Sequence, residues 1–318
     1  MRLSAAVQVH RTASHERSPP PRLRSETRDA RQNADMLGRV GVYLEMIKVA
    51  HTVFALPFAL MGAFLAAGGF PSTRTFFYIV LAMVGGRSAA MGFNRLVDAD
   101  IDARNPRTRD RAIPRNEVSR PMAAVFIFLS VVLLELSAAK LNPLCLKLSP
   151  VLLLILFSYS YTKRFTWASH IVLGMCLGAA PLAAWIAVTG EFDPRILLFS
   201  FAVMFWVAGF DVLYALQDIE FDREERLHSI PRCLGVGKSL WVARGFHFAM
   251  AALLLVGYDS FGLGRWFLAG WAICSAVLVY EHSILRANDL SRLNVAFFNL
   301  NGIVSIALCL FTYLDLAL

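Results

Sequence analysis

The chain has 318 residues, of which 57% are hydrophobic and only 17% are charged, with a net charge of +8. Soluble domains usually carry about 25% charged and 45–50% apolar residues, so this composition excludes an ordinary soluble protein. The apolar residues lie in runs of about 20, the length at which a helix crosses the hydrocarbon core of a bilayer. The sequence therefore predicts an all-α, polytopic membrane protein.

Residues 1–42 differ in kind from the rest of the chain. They are rich in Arg, Ser and Pro, and they contain no apolar run of the kind found in a cleaved signal peptide. We predict a disordered basic tail that is attracted to anionic lipid headgroups, followed by one membrane domain over 43–318. Met36 lies near the first apolar run and is an alternative start of translation.

Nine membrane spans are predicted in the remainder of the chain. Basic residues concentrate in the connections after spans two, four, six and eight, so the positive-inside rule places these connections and the N-terminus in the cytoplasm. We therefore expect a bundle of nine transmembrane helices whose C-terminus lies on the far side of the membrane. The predicted spans are 44–69, 75–97, 120–140, 143–162, 166–189, 195–217, 238–258, 264–285 and 293–317.

Span two ends in three polar residues spaced by four, Asn94, Asp98 and Asp102, which a helix places on one face. Oxygen ligands in a column at a membrane surface suit Mg²⁺, which is typically held by a few carboxylates together with substrate phosphates. A solvated helix end is the alternative, but like charges at this spacing are mildly destabilising without a counter-ion. We therefore predict a metal site here.

Several basic residues stand close to this column. Arg107 and Arg111 follow it, where they either hold phosphate oxygens or act as ordinary cytoplasmic charges. Arg87 precedes Asn94 by seven residues on the same stripe, and on a helix it lies roughly 16 Å below Asp98. A cation at that depth normally faces a polar cavity, so Arg87 either binds a second, anionic substrate or forms a structural ion pair.

Span six ends in a second acidic column. Asp211, Tyr214, Asp218 and Asp222 are offset by 0, 3, 7 and 11 residues, which places them in one narrow stripe of a helix. One such column from each half of the bundle would form a site with two metal-binding walls.

The end of span four adds Tyr159, Lys163 and Arg164. Tyr159 and Lys163 are four residues apart and are expected to reach the same cavity, although interfacial anchoring is the usual role of such residues. Three other side chains in apolar spans are interpreted as core or interface residues, namely His51, His170 and Trp185.

Two facing acidic columns with adjacent arginines, opening from a hydrophobic bundle, indicate a substrate with a diphosphate head and a long apolar tail. Mg²⁺ would neutralise the diphosphate as it departs. Its loss from an allylic carbon leaves a carbocation, which needs a dry and apolar pocket. An electron-rich aromatic ring can then attack that carbon, and a base removes the ring proton.

These motifs carry a resemblance to UbiA-type intramembrane prenyltransferases, which extends from about residue 44 to the C-terminus. Arg87 occupies the position of the arginine in their second span. The matching elements are Asn94-xxx-Asp98-xxx-Asp102 with the following Asn-Pro-Arg-Thr, Asp211-xx-Tyr214-xx-Gln217-Asp218-xxx-Asp222, and Tyr159-xxx-Lys163-Arg164.

The resemblance implies that the motifs bind Mg²⁺ and the diphosphate of a polyprenyl donor. The implied metal ligands are Asn94, Asp98, Asp102, Asp218 and Asp222. The implied catalytic residues are the same four aspartates and Lys163, and Asp218 is also a candidate to assist proton removal. The implied substrate-binding residues are Arg87, Asn94, Arg107, Arg111, Tyr159, Arg164, Asp211 and Tyr214.

Flanking segments are similar to the bacterial 4-hydroxybenzoate polyprenyltransferase branch, namely 51–57, 111–114, 227–231 and 294–298 with Asn301. The implied function is transfer of a polyprenyl group to a hydroxylated aromatic acid for a respiratory quinone, in a bacterial cytoplasmic membrane with the site facing the cytoplasm. Arg115-Asn116 departs from the family pattern of a small residue and glycine, and is expected to alter a turn.

The implied partners are polyprenyl diphosphate, the aromatic acid and the lipid bilayer, with no nucleic acid and no obligate protein partner. Alternatives remain open at this point. Within the enzyme class, the acceptor is 1,4-dihydroxy-6-naphthoate in menaquinone synthesis, or the chain prenylates haem or chlorophyll, whose enzymes share the aspartates but differ in the flanking segments. Outside it, the chain is a membrane transporter, although the ligands of such proteins lie near the midplane rather than at helix ends.

Overall fold

The computed structural model describes residues 41–48, 52–293 and 295–318, and within them the fold is helical, with one two-residue bridge between Arg286 and Asp289. His51, Asn294 and nearly all of the predicted tail, including Met36, lie outside the described residues. From Thr52 onward the α-helices are α1 Thr52–Ala67, α2 Thr73–Val97, α3 Ala99–Arg104, α4 Arg120–Leu141, α5 Pro143–Thr162, α6 Ser169–Thr189, α7 Ile196–Ala215, α8 Ile219–Glu224, α9 Ile230–Phe261, α10 Arg265–Ile284 and α11 Asn301–Ala317. The all-α class is confirmed.

Seven of the described helical stretches are long and apolar enough to cross a membrane, and they coincide with predicted spans two to eight. The first and last predicted spans correspond to shorter apolar helices, Phe54–Ala67 and Asn301–Ala317. A π-helical segment, Val295–Leu300, directly precedes the last of these. The chain is thus an integral membrane protein, while the count of nine spans remains a prediction.

Several helices begin where a polar residue caps them and a proline follows. The Ser119 hydroxyl accepts a hydrogen bond from Met122 N, and the Asn142 side chain accepts one from Cys145 N. Ser229 caps α9 in the same way and is followed by Pro231, whose missing N–H is not needed in the first turn. Gly235 is non-helical and separates this capped first stretch of α9 from its long remainder, which begins close to the start of the predicted span 238–258.

The crossing of α6 and α7 depends on two small residues. Gly174 and Gly178 lie against the backbone carbonyls of Met204 and Ser200, so closely that a Cβ at either glycine would collide with them. Small residues four apart are a common means of close helix packing in membranes. This crossing brings the start of α6 next to the wall that α7 contributes to the central cavity.

Two local breaks shape the C-terminal ends of α2 and α7. Asp98 separates α2 from α3, yet Asp98 N bonds to Asn94 O at 2.9 Å and Asp102 N bonds to Asp98 O at 2.8 Å. The helical spacing of the first column therefore survives the break. In the second column a 3₁₀ turn, Leu216–Asp218, separates α7 from α8. With 3.0 residues per turn it rotates Asp222 relative to a continuous α-helical stripe.

Candidate active site

A cavity of about 630 Å³ opens between the ends of α2, α5 and α7. Every predicted site residue except Arg164 lines it, namely Arg87, Asn94, Asp98, Asp102, Arg107, Arg111, Tyr159, Lys163, Asp211, Tyr214, Asp218 and Asp222. Its apolar wall consists of Phe54, Met91, Leu173, Leu177, Val207 and Phe210. The structure therefore gathers both acidic columns, the basic residues and an apolar wall around one space.

Asp98 is the most enclosed carboxylate of the first column, with 1% of its surface exposed. Lys163 donates to its Oδ2 at 2.6 Å, and Arg164 approaches its Oδ1 at 3.3 Å. The amide of Asn94 donates to the same Oδ2 at 3.0 Å. Arg164 thus reaches the predicted cluster through Asp98, from outside the cavity lining.

Asp102, one turn further along, is paired with a residue of the following loop. Arg111 Nη1 donates to its Oδ2 at 2.6 Å, and both residues line the cavity. The loop then turns at Asn116, where φ is 59°. Asparagine adopts this left-handed conformation more readily than most residues. Asn116 thus adopts a backbone conformation that glycine also adopts readily, and an altered turn relative to the family stays a prediction.

The second column is joined to the first by Arg107. Its guanidinium donates to Asp218 in bidentate fashion, with Nε–Oδ1 2.9 Å and Nη2–Oδ2 2.5 Å, and Nη1 donates to Tyr214 Oη at 3.3 Å. Burial lowers the pKa of Arg107, but the hydrogen bonds and charge of Asp218 outweigh it and hold the pKa above its ordinary value. Arg107 is therefore a fixed positive charge between the two walls.

Asp222 occupies a different setting from the other three aspartates. It is buried, and its Oδ2 accepts a hydrogen bond from the Ser229 hydroxyl at 2.7 Å. This bond ties α8 to the residue that caps α9, and Asp222 still borders the cavity. The 3₁₀ turn explains why Asp222 faces Ser229 rather than extending the column above Asp218.

The donor set is that of a hard divalent cation, because carboxylate oxygens dominate it. Within the described residues, no three His, Cys, Asp or Glu side chains lie close enough together to hold a metal ion. Instead three of the aspartates are bonded to cations, Asp98 to Lys163, Asp102 to Arg111 and Asp218 to Arg107. The carboxylate oxygens are of the type that binds Mg²⁺. In this structure the oxygens that would coordinate the ion are hydrogen-bonded to Lys163, Arg111 and Arg107.

Arg87 lines the same cavity, eleven residues before Asp98 on α2. Its Nη2 donates to Lys48 O at 3.2 Å, while its buried Nε has no hydrogen-bond partner in the described chain. Within that part of the protein Arg87 forms no ion pair with a carboxylate. Its guanidinium therefore retains hydrogen-bonding capacity toward an anion in the cavity, and the structural ion pair is not observed.

His170 and Arg95 line the cavity with buried, titratable side chains and were not predicted as part of the site. His170, interpreted as a core or interface residue, bonds through Nδ1 to Asp211 Oδ2 at 2.6 Å. Arg95 is buried beside Asn94 and donates to Met46 O at 3.3 Å. His170 is 41 positions from Asp211, so residue spacing could not have identified it. Arg95 directly follows Asn94, so its position within the first motif could have identified it.

A second bridge, outside the cavity lining, joins the connection after α3 to the connection after α8. Arg104 at the end of α3 donates to both oxygens of Glu225, which follows α8, at 2.7 and 2.8 Å. This hydrogen bond lowers the pKa of Glu225. We call Arg104–Glu225 and Arg107–Asp218 together the loop bridges. They join segments more than 100 residues apart in the chain.

Comparison with known proteins agrees with this geometry. The family model described as the UbiA prenyltransferase family matches residues 55–303. A 4-hydroxybenzoate octaprenyltransferase of Aromatoleum aromaticum is 29% identical over 277 residues, covering 85% of this chain and 92% of the relative. One of Thiobacillus denitrificans is 31% identical over 232 residues, covering 72% and 78% respectively.

Solved structures show the same fold. The apo structure of a UbiA homologue from Aeropyrum pernix K1 has a TM-score of 0.77 and 34% identity, covering 83% of this chain and 98% of that one. A UbiA homologue from Archaeoglobus fulgidus, bound to DMAPP and Mg²⁺, has a TM-score of 0.67 at 18% identity, covering 87% of this chain and 99% of that one. With the family model spanning most of its membrane helices, the chain belongs to the UbiA prenyltransferase family.

Proposed function

We propose that this prenyltransferase moves a polyprenyl group from its diphosphate onto a hydroxylated aromatic acid of the 4-hydroxybenzoate type, in respiratory quinone synthesis. The proposed location is a bacterial cytoplasmic membrane, with the cavity opening to the cytoplasm. One observation carries the proposal: a single cavity holds acid–base pairs at its mouth, an apolar wall behind them, and Arg87 without a carboxylate partner at depth.

The mouth is suited to a diphosphate and its metal ions. The residues that would hold Mg²⁺ are Asn94, Asp98, Asp102, Asp218 and Asp222, and those that would hold phosphate oxygens are Arg107, Arg111, Lys163 and Arg164. Guanidinium groups recognise phosphate oxygens through paired N–H donors. When bound, Mg²⁺ supplies positive charge that stabilises the departing diphosphate.

The interior is suited to the rest of the reaction. Its wall of Phe54, Leu173, Leu177, Val207 and Phe210 keeps water from the allylic cation. Arg87 binds the carboxylate of the acceptor and so fixes which ring carbon faces that cation. Tyr159 and Tyr214 line the same space, and their rings stabilise a nearby cation through their π-faces. The names of the relatives from Aromatoleum and Thiobacillus support an acceptor of this class.

Because the chain belongs to the prenyltransferase family, we no longer interpret it as a transporter. The position of the carboxylates agrees with that, because Asp98 and Asp218 lie where α2 and α7 end. Among acceptors, the naphthoate and the benzoate are both hydroxylated aromatic acids. Arg87 is suited to the carboxylate of either, so the choice is made by experiment.

A product assay tests the proposal directly. Membranes containing the protein are given Mg²⁺, a polyprenyl diphosphate and either 4-hydroxybenzoate or 1,4-dihydroxy-6-naphthoate, and products are identified by mass spectrometry. We expect one prenylated acid, absent when EDTA replaces Mg²⁺ and absent from membranes without the protein. Intact diphosphate with both acceptors, in membranes where the protein is inserted, would contradict the proposed donor and acceptor classes.

A further inference from the structure

His170 and Asp211 form a contact on the wall of the cavity, below the acid–base pairs of the mouth. His170 lies at the start of α6 and is 3% exposed, and its Nδ1 is 2.6 Å from Asp211 Oδ2. The Asp211 side chain, in α7, is 20% exposed, and both residues line the cavity. The carboxylate therefore faces the cavity on one side and the imidazole on the other.

The other ring nitrogen determines which way this hydrogen bond runs. The backbone N–H of Ile230, at the start of α9, donates to His170 Nε2 with a separation of 3.3 Å. A nitrogen that accepts a hydrogen bond carries no proton, so in the neutral ring the proton is on Nδ1. His170 is therefore a neutral donor to Asp211, and its orientation is set by the first turn of α9.

The depth of Asp211 places it between the two ends of the site. Asp211 precedes Asp218 by seven residues, which on a helix is roughly 10 Å below the mouth. Arg87 precedes Asp98 by eleven residues, or roughly 16 Å on the same scale. An aromatic acid whose carboxylate contacts Arg87 would therefore present its ring at about the level of Asp211.

Asp211 and Asp218 have different partners in the described chain. Both oxygens of Asp218 are engaged by Arg107, and Asn105 also donates to its Oδ1. In the described chain no Arg or Lys pairs with Asp211, and His170 occupies only its Oδ2. Oδ1 is left for a group in the cavity.

We infer that Asp211 is the base that accepts the proton of the acceptor ring, and that His170 is a positioning residue that holds its carboxylate for this step. The inference rests on the proposed function. The allylic C–O bond breaks, and its electron pair leaves with the diphosphate. A ring carbon forms the new C–C bond to the allylic carbon. The C–H electrons of that ring carbon restore aromaticity, and its proton passes to Asp211 Oδ1, from which it is lost to bulk solvent after the product leaves.

Positioning follows from the geometry of the three partners. Without the Nδ1 donor the carboxylate can rotate about its side-chain torsions, and Arg87 is one of the cations that line the same cavity. A carboxylate turned toward Arg87 would no longer face the acceptor ring, and it would compete with the acceptor carboxylate for Arg87. The Ile230 N–H prevents this, because it keeps the imidazole plane and its proton directed at Asp211.

Three variants and one isotope separate this role from a structural one. His170→Leu removes the donor, His170→Asn retains an N–H near the Nδ1 position, and Asp211→Asn removes the base. Each is assayed with a polyprenyl diphosphate and with unlabelled or ring-deuterated acceptor, the one that the wild type accepts. Cys176→Ala is the matched control, since it lies in the same helix outside the cavity lining.

We expect His170→Leu to lower kcat by roughly 10²-fold, in line with the usual contribution of a positioned base. The KM for the donor should be unchanged. A primary isotope effect from ring deuterium should appear in this variant and be absent from the wild type, because proton removal has become the slow step. His170→Asn should recover most of the kcat and lose the isotope effect, and Asp211→Asn should be the least active of the three.

The inference is overturned if His170→Leu shows no isotope effect, whether its kcat is lowered or equal to that of the wild type. It is also overturned by an Asp211→Asn enzyme that turns over like the wild type. Thermal unfolding in detergent identifies a variant that has failed to fold, and His170→Asn then decides the matter alone through its kcat and isotope effect. A wild type that prenylates neither acid contradicts the proposed function instead, so the two failures are distinguishable.

Discussion

At the scale of single residues, Asp98 and Asp100 stand two positions apart in very different surroundings. Asp98 is enclosed and bonded to Lys163, whereas the Asp100 side chain is 71% exposed and pairs with Arg120 outside the cavity. We expect Asp98→Ala to lower kcat by at least about 10²-fold, the usual scale for loss of a charge-stabilising group. Asp100→Ala should remain close to the wild type in the product assay, with both proteins inserted in equal amounts.

The second wall offers an equivalent pair of variants. Asp218 borders the cavity, while the Glu220 side chain is 80% exposed and pairs with Arg223. Asp218→Ala should abolish product formation, and Glu220→Ala should leave it unchanged. Normal turnover in either Asp98→Ala or Asp218→Ala would contradict a site built from both acidic clusters.

Arg87 has a different expected signature, because it is assigned to the acceptor rather than to the diphosphate. Arg87→Ala removes a charge-assisted hydrogen bond of about 1.5–3 kcal/mol, so the KM for the aromatic acid should rise roughly ten- to hundred-fold. The KM for the polyprenyl diphosphate should change little. The control is an acceptor that lacks the carboxylate, for which the wild type and Arg87→Ala should be equally poor. Unchanged kinetics with the acid would remove Arg87 from the acceptor site.

At the scale of helices, hydropathy predicted the spans from two to eight, because each is a continuous apolar run in the described structure. The same pattern is silent about local breaks. The 3₁₀ turn before Asp218 and the non-helical Gly235 within α9 depend on backbone geometry over only a few residues. The stripe predicted from Asp211 to Asp222 therefore contains a change of helix type that hydropathy does not report.

The break within α9 yields a prediction of its own. Gly235 has φ 74° and ψ 172°, a conformation that is essentially confined to glycine, whereas Gly237 has an ordinary helical backbone and open space around it. Gly235→Ala should destabilise the fold by about 1–3 kcal/mol, and Gly237→Ala should be neutral or slightly stabilising. Thermal unfolding in detergent compares the two. Equal stability of both variants would mean that the segment from Ile230 to Gly235 tolerates another path.

At the scale of the whole molecule, the sequence indicates which residue types form the candidate site but not which acid pairs with which base. The acidic columns and the depth of Arg87 follow from helical spacing within one segment. The loop bridges join residues 111 and 121 positions apart, and nothing in the spacing of either segment specifies which base pairs with which acid. His170 was missed for the same reason, since its partner lies on another helix.

The tail supplies a prediction about the protein as a whole. The family model begins to match at residue 55, while Lys48 is the earliest residue that bonds to a predicted site residue, Arg87, in the described chain. A protein that starts at Met36 retains Lys48 and should prenylate its acceptor at the rate of the full chain. Removal of residues 1–48 should impair turnover, since it deletes the carbonyl to which Arg87 donates. Strong loss of activity in the shorter truncation would give the tail a role in the reaction.

The loop bridges and the paired aspartates have one more consequence, for the order in which ligands bind. A divalent ion that takes the Asp218 oxygens leaves Arg107 without its partner, and a diphosphate that takes Arg107 leaves Asp218 uncompensated. When both arrive together, every charge is matched again. Metal and diphosphate should therefore favour each other's binding by the same factor, as thermodynamic reciprocity requires. The mouth of the cavity should therefore bind the magnesium–diphosphate complex more tightly than it binds either component alone.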